Sequence, residues 1–147
     1  MSDHLLRYMH FILGLLCAIS VSCLSGQESP ANQPLSDSDQ VFARAFDQGR
    51  SSLQVEGQGV VRRLLSDDNE GSRHQRFIVA LASGQTLLIA HNIDLAPRVV
   101  NLREGDTVTF SGQYEWDPKG GRIHWTHHDP NKRHAPGWIR HNGQVYQ

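Results

Sequence analysis

The sequence of 147 residues predicts an all-β protein. We expect a small Greek-key barrel of the oligonucleotide/oligosaccharide-binding (OB) type, with a short N-terminal helix and a C-terminal β-hairpin. Alternating apolar and polar residues form successive segments separated by turns rich in Gly, Asn, Asp and Pro. Gly57 and Gly59 let the first segment bend sharply, and Asn142-Gly143 is a strong hairpin signal between two alternating segments.

The first predicted element is a helix that starts towards the end of a polar segment, 27–40. Ser36 or Ser38 supplies its N-cap, and Gly49 ends it. Its apolar residues fall on one helical face, so the helix is expected to pack on the domain behind it; they are Val41, Phe42, Ala45 and Phe46.

Five strands are predicted after the helix, with turn residues between them. They cover residues 53–65, 76–81, 86–90, 106–116 and 122–127. Residues 91–99 lie where such barrels often carry a helix, but Pro97 and the short length allow only a turn or two. A curled β-sandwich is the alternative architecture, because counting strands does not distinguish it from a barrel.

The N-terminal residues have the pattern of a secretory signal peptide. Arg7 precedes the apolar run 11–19, and serines follow the run. The run is shorter than the roughly 20 apolar residues of a membrane-spanning helix, so no permanent transmembrane segment is predicted. We therefore expect an exported protein, periplasmic or extracellular. The predicted divisions are a signal peptide at 1–26, a linker at 27–40 and a single β-barrel domain at 41–147.

Both cysteines, Cys17 and Cys23, lie in this N-terminal segment. The domain that remains after export has no disulfide, so its apolar core alone must hold it together. The residues before Cys23 loosely resemble the cleavage site of a bacterial lipoprotein, but the usual leucine is missing. A soluble protein is therefore favoured over a lipoprotein anchored at Cys23.

The formal net charge of −1 excludes no class of partner, but the charges are unevenly distributed. From Pro118 to the C-terminus there are five basic residues and one acid, Asp129, which leaves an excess of four positive charges. This excess predicts a polyanionic partner such as nucleic acid. The five basic residues are Lys119, Arg122, Lys132, Arg133 and Arg140.

The segment 123–130, IHWTHHDP, holds three histidines and an aspartate within eight residues. As a strand, it would place Ile123 and Trp125 together on the core face, with His124 and His128 on the opposite face. Trp125 is therefore expected in the core. Trp116 and Trp138 are expected to pack beneath the C-terminal hairpin, and the aromatic residues are too few for a platform that stacks several bases.

Three interpretations of these histidines are open. They form a general acid/base site, because an imidazole can move protons near neutral pH; they bind a divalent metal cofactor; or they satisfy buried groups and serve only the structure. The spacing matches no established zinc signature, so the sequence does not decide. The residues assigned to catalysis are His127, His128, Asp129 and His74. The residues assigned to a metal are His124, His128 and His91.

Two further tracts carry polar groups suited to substrate binding. GSRHQR places Arg73 and Arg76 at a strand entry, and forked guanidinium groups suit phosphate or carboxylate. AHNID places Asn92 and Asp94 at the end of the third strand. The structural alternatives are that the arginines pair with the acidic loop 67–70 and that Asn92 and Asp94 cap a turn.

Four tracts together, GSRHQRFIV, LLIAHNIDLAPR, IHWTHHDP and GWIRHNGQVYQ, resemble a bacterial family of short exported proteins catalogued as a domain of unknown function. The resemblance extends from about Val55 to Gln147. It implies export and a domain boundary, and it implies no activity.

The first functional hypothesis is an exported hydrolase that acts on phosphodiesters such as nucleic acid. His127 or His128 would act as the acid or base, Asp129 would orient it, and Arg73 and Arg76 would hold the phosphate. The rival hypothesis is a non-catalytic extracytoplasmic module that binds an anionic ligand or a metal ion through the same histidines. A structural component of the cell envelope is the third.

Overall fold

The computed structural model describes residues 35–147. The predicted signal peptide, Cys17, Cys23 and most of the predicted linker lie outside these residues. Within them, helix α1 spans Asp37–Asp47, and the hydroxyl of Ser36 accepts a hydrogen bond from the backbone N–H of Asp39. Of the two serines that the sequence offers, Ser36 is thus the N-cap, and Gly49 follows the helix with φ near 60°.

Seven strands follow α1 in the described part of the chain. They are β1 (Leu53–Leu64), β2 (His74–Ala80), β3 (Thr86–Asn92), β4 (Thr107–Glu115), β5 (Arg122–His124), β6 (Trp138–His141) and β7 (Gln144–Tyr146). Residues 93–106 contain turns in place of the helix that often joins β3 to β4 in such barrels, as predicted. The C-terminal hairpin β6–β7 is confirmed, with Asn142 and Gly143 at its turn.

The first five strands close into a barrel. Strand β1 pairs with β4 along its first two thirds and with β2 from Val60 onwards, where a register shift between Val61 and Arg63 bends it. The sheet continues from β2 to β3, then through a parallel pairing to β5, and antiparallel back to β4. This is the order 1-2-3-5-4-1 of a Greek-key OB barrel, so the predicted fold class is confirmed.

The barrel interior is a continuous apolar core. Alternate residues of each strand point inwards, and the most deeply buried include Phe77, Leu87, Ile89, Phe110, Tyr114 and Ile123. Helix α1 covers one end of this core through Phe42, whose ring lies 6.0 Å from those of Phe110 and Tyr114. Gly57 lies beneath that contact, because a Cβ built there would come within 2.7 Å of the Phe42 ring.

Strand β5 ends earlier than the sequence predicts. It contains only Arg122–His124, and Trp125 takes up a left-handed backbone conformation with φ near 53°. The prediction that Trp125 joins Ile123 in the core is wrong, since its side chain is 39% exposed. The alternation argument fails because it assumes a continuous strand, and the backbone turns at Trp125 instead.

Trp116 and Trp138 also differ from the expectation that both pack under the hairpin. Trp116 stacks on Phe46 of α1, with ring centroids 6.3 Å apart, and its indole N–H donates to the Phe46 carbonyl. Trp138 begins β6 itself and lies beneath the guanidinium of Arg140. Across residues 35–147, α1 is too short to cross a membrane.

We expect Gly57→Ala to lower the free energy of unfolding by about 1–3 kcal/mol, because its methyl group must displace the Phe42 and Phe110 rings. Urea unfolding measures this loss, with the exposed neighbour Gln58→Ala as control, for which a change within about 0.5 kcal/mol is expected. The double variant Phe42→Leu/Gly57→Ala should lose less free energy of unfolding than the two single variants lose in sum. Losses that simply add would contradict the contact between Gly57 and Phe42.

Candidate functional site

A pocket of about 450 Å³ lies on the outer face of the barrel, where β2 begins and β3 and β5 end. His74 faces outwards because the next residue, Gln75, points into the interior. The register pairs His74 with Asn92 across β2 and β3, and His124 ends β5 beside them. The sequence therefore brings polar groups from three strands together at one end of the barrel.

The wall of the pocket is a loop, residues 125–137, which we call the histidine loop. It leaves β5 and returns to β6, and both of these strands pair with β4. The backbone N–H of Gly137 donates to the carbonyl of His127 at 3.0 Å. Gly137 permits this closure, because a Cβ there would lie 2.0 Å from the Trp125 carbonyl oxygen and 2.5 Å from that of Ser111.

Asp129 organises the histidine loop. Its carboxylate accepts backbone N–H groups from Asn131 at 2.8 Å, from His134 at 3.0 Å, and from Arg133. Burial alone would raise the pKa of Asp129, but these three donors outweigh it and lower the pKa below its usual value. The carboxylate is thus ionised at neutral pH, and the backbone of the loop engages it.

Trp125 and His134 form a stacked pair at the pocket. Their ring centroids lie 4.3 Å apart with an interplanar angle of 11°. A bulky residue with positive φ is uncommon and costs free energy, and such residues cluster at functional sites. The local backbone at Trp125 therefore directs the indole away from the core and onto the pocket.

His127 and His134 meet edge to face, with ring centroids 5.2 Å apart. Nδ1 of His127 donates to the carbonyl of His128 at 2.6 Å, and Nδ1 of His134 donates to that of Ala135 at 2.8 Å. A carbonyl oxygen only accepts, so the proton of each neutral ring is on Nδ1 and the lone pair is on Nε2. Both rings line the pocket.

Burial keeps two of the pocket histidines neutral. The pKa of His127 is lowered first by burial and then by the neighbouring His134, against the opposing effect of its bond to the His128 carbonyl. The pKa of His124 is lowered by burial and by Arg122. Both imidazoles are therefore unprotonated bases at pH 7.

His91 lies inside the barrel and anchors the base of the histidine loop. Its Nε2 donates to the Pro97 carbonyl at 3.0 Å, so Nδ1 accepts from the hydroxyl of buried Thr126 at 2.8 Å. Burial lowers its pKa to about 4. With both ring nitrogens engaged and the side chain fully buried, His91 has a structural place below the pocket.

The structure brings together five of the residues that the sequence assigned to a site. His74, His127 and Asp129, assigned to catalysis, and Asn92, assigned to the substrate, line one pocket, as does His124 of the metal assignment. His128 is exposed and does not line it. Asp129 lies 3.9 Å from Nε2 of His134, and its hydrogen bonds go to the loop backbone, with none to His128.

The remaining substrate-binding candidates lie outside the pocket lining. Arg73 pairs with Asp94 at 2.7 Å, with both side chains exposed at the rim. The guanidinium of Arg76 donates to the Ser66 carbonyl at 3.0 Å. Asn92, by contrast, lines the pocket, and its side-chain oxygen accepts from the backbone N–H groups of Asp94 and Leu95.

Among residues 35–147, no three or more His, Cys, Asp or Glu side chains are arranged to hold a metal ion. Of the three histidines in the metal assignment, His91 has both nitrogens engaged, and only His124 lines the pocket.

Sequence reasoning missed three residues of the site, namely Trp125, Arg133 and His134, all of which line the pocket. Trp125 was assigned to the core. His134 and Arg133 follow Asp129 at the spacing of a carboxylate-bridged turn, and the word DPNKRH was the signal for it.

A family model described as "Protein of unknown function (DUF3465)" matches residues 25–147. The chain belongs to the DUF3465 family. This confirms the resemblance to a family of unknown function that the four sequence tracts indicated. No curated protein matches this DUF3465 chain. The site itself must therefore carry the argument about function.

We expect His91 to make the stability of this DUF3465 domain depend on pH. The unfolded imidazole has a pKa near 6.5 and the folded one about 4, so protons favour the unfolded chain as the pH falls. The contribution of the neutral His91 imidazole to the free energy of unfolding is complete above pH 6.5, declines as the pH falls, and is lost below about pH 4. This contribution amounts to about 3 kcal/mol.

Urea unfolding of wild type and His91→Gln between pH 7.5 and 4.5 tests this expectation. Glutamine keeps one donor and one acceptor and does not titrate, so the difference in stability between the two proteins should shrink as the pH falls. Exposed His128→Gln is the control and should track wild type. A constant difference between wild type and His91→Gln would contradict the buried, neutral imidazole.

Proposed function

We propose that this exported DUF3465 protein is a hydrolase that cleaves phosphodiester bonds in RNA. The observation that carries the proposal is the imidazole pair, His127 and His134, whose rings meet at 5.2 Å in a pocket on the outer face of the barrel. Export rests on the N-terminal sequence pattern. Fractionation of the native host checks it, because an unprocessed cytoplasmic protein would contradict it.

His127 is the general base. Its Nδ1 proton is held by the His128 carbonyl, its pKa is lowered by burial, and its Nε2 is free to accept a proton at neutral pH. A fixed tautomer matters for a base, because the lone pair is already on the reacting nitrogen before substrate arrives.

His134 is the general acid. When its Nε2 carries a proton, the Asp129 carboxylate lies 3.9 Å away, within the distance of an ion pair. Asp129 thus acts through His134, whereas the sequence suggested that it orients His127 or His128. The stack of Trp125 on His134 holds the imidazole plane in place.

The two imidazoles suit RNA because its 2′-hydroxyl supplies the nucleophile. His127 removes the 2′-hydroxyl proton, and the oxygen attacks phosphorus to form a new P–O bond. The bond from phosphorus to the 5′-oxygen breaks, and His134 protonates that leaving oxygen. The products are a 2′,3′-cyclic phosphate and a 5′-hydroxyl end, so protons and bonds balance. Addition of water to the cyclic phosphate completes the hydrolysis.

Cationic and polar groups around the pair suit an anionic substrate. Arg133 lines the pocket, and Lys132 lies next to it in the histidine loop. The Asn92 amide offers donors to a phosphate oxygen or a base edge. Among the described residues that line the pocket, the one acid, Asp129, is engaged by the backbone of the loop.

A non-catalytic binding module is the second candidate. It is favoured by the neutral state of His124 and His127, whose lone pairs suit a divalent metal such as zinc or copper as well as they suit a proton. In its other form, the module binds an anionic ligand through Arg133. The same experiment separates this candidate from the hydrolase.

We expect the purified full chain to cleave a labelled RNA oligonucleotide in EDTA and to leave DNA of the same sequence intact. His127→Ala and His134→Ala should each lower the rate about 10²–10⁴-fold, the usual contribution of a general acid or base. Products are identified by mass, with a cyclic phosphate expected.

His128→Ala is the matched control, since it removes an exposed imidazole next to His127 and should leave the rate unchanged. Activity that is the same in all variants would indicate a contaminating nuclease and contradict the assignment. Binding of RNA without cleavage would support the module, and stoichiometric metal by elemental analysis would support its metal-binding form.

The pH profile of kcat/KM should reflect the base. Because burial lowers the pKa of His127, the acidic limb should lie below pH 6.5, and activity should persist at pH 6. Rates between pH 4.5 and 8 measure this, with circular dichroism at each pH as a folding control. An acidic limb at or above pH 6.5 would rule out His127 as the base.

A further inference from the structure

Three outward-facing side chains stand in a line beside β4 and lead away from the pocket. Opposite Gln113, Ser111 and Thr109 of β4 lie His124 of β5, then Trp138 and Arg140 of β6. Alternate residues of β4 face the same side, so these partners share the outer face, with steps of about 7 Å. The line begins at the pocket, because His124 is part of its lining.

Trp138 and Arg140 form a pair beyond the pocket. The guanidinium carbon of Arg140 lies 5.0 Å from the centroid of the Trp138 ring, which is a cation–π contact. Arg140 and His124 lie on opposite sides of Trp138 along β4, so the pocket lies on the side of Trp138 away from Arg140.

The charge at the β6 end of this line is positive. Within the described part of the chain, no ion pair involves Arg140, Lys132 or Arg133. Two carboxylates share the face away from β6: Glu115 of β4 lies at the His124 end of the line, and Glu56 lies on β1 across Ser111. A nucleic-acid chain that leaves the pocket along this line therefore meets positive charge on the β6 side of β4.

We propose that Trp138 and Arg140 form a second subsite, which binds the nucleotide adjacent to the one in the pocket on a single-stranded nucleic acid. A base stacks on the open face of Trp138, and Arg140 holds a phosphate. Stacking on Trp138 and on Trp125 requires unpaired bases, so a duplex does not fit. The identity of the ligand rests on the proposed function.

The test measures binding of a labelled single deoxynucleotide and of a labelled DNA pentanucleotide to the purified full chain by fluorescence anisotropy. DNA lacks the 2′-hydroxyl, so the measurement does not depend on cleavage. Trp138→Leu should weaken pentanucleotide binding on the order of tenfold and leave binding of the single nucleotide, which occupies only the pocket, unchanged. Arg140→Gln should reduce the salt dependence of pentanucleotide binding by about one phosphate contact.

Trp138→Phe keeps an aromatic face and should retain most of the affinity, which guards against a folding defect in Trp138→Leu. Trp116→Leu is the matched control, because it removes an indole that packs on α1 and does not line the pocket, and it should bind as wild type. In a variant with Trp116 and Trp125 changed to Phe, DNA should quench the fluorescence of Trp138.

The subsite is overturned by any of four results. Trp138→Leu binds the pentanucleotide as wild type does, or binding weakens equally at both lengths. A duplex competes as well as a single strand, or wild type binds DNA of neither length.

The outcomes that contradict the proposed function are different. Wild type that binds the pentanucleotide through Trp138 and cuts no RNA contradicts the hydrolase and supports the subsite, whereas RNA cleavage unchanged by Trp138→Leu contradicts the subsite alone.

Discussion

Closure of the barrel depends on one long strand that hydrogen-bonds on both sides. β1 pairs with β4 up to Val60 and with β2 from Val60 onwards, and the register shift after Val61 supplies the bend that lets one strand reach both partners. Once the sheet is closed, every strand has an inner and an outer face. That division sends His91 into the core and His74 and His124 to the outer surface, where the pocket forms.

The pocket depends on a second constraint, the folding of the histidine loop upon itself. Residues 125–137 contribute no strand pairing, so backbone polar groups there need other partners. The Asp129 carboxylate accepts three of the backbone N–H groups of the loop. Gly137 lets the loop return against the backbone of Trp125. Asp129, which the sequence connects with His127 or His128, is thus first a structural group, and the histidine nearest its carboxylate is His134.

Histidines in this domain differ in role because their surroundings differ. His91 is held between a carbonyl and a hydroxyl in the core, and His141 is buried with Nε2 2.8 Å from the Asp106 carboxylate, away from the pocket. His127 and His134 are held only at Nδ1, which leaves one nitrogen of each ring for chemistry. Ring nitrogens left free by the fold separate the candidate catalytic histidines from the structural ones.

Sequence by itself determined the all-β class, a serine cap at the start of α1, the Asn142-Gly143 turn and the approximate strands, because each rests on local periodicity or on residues with particular backbone preferences. The choice of a closed barrel over a β-sandwich, and of Ser36 over Ser38, came from the structure. The sequence also indicated that the histidine-rich segment, His74 and Asn92 contribute to a functional site. Only the tertiary structure decided that β5 stops at His124, that Trp125 turns outwards, and that His134 faces His127. Those outcomes depend on contacts between the histidine loop, β4 and the core. Such long-range contacts produce no periodic pattern of residues in the sequence, so the sequence alone does not predict them.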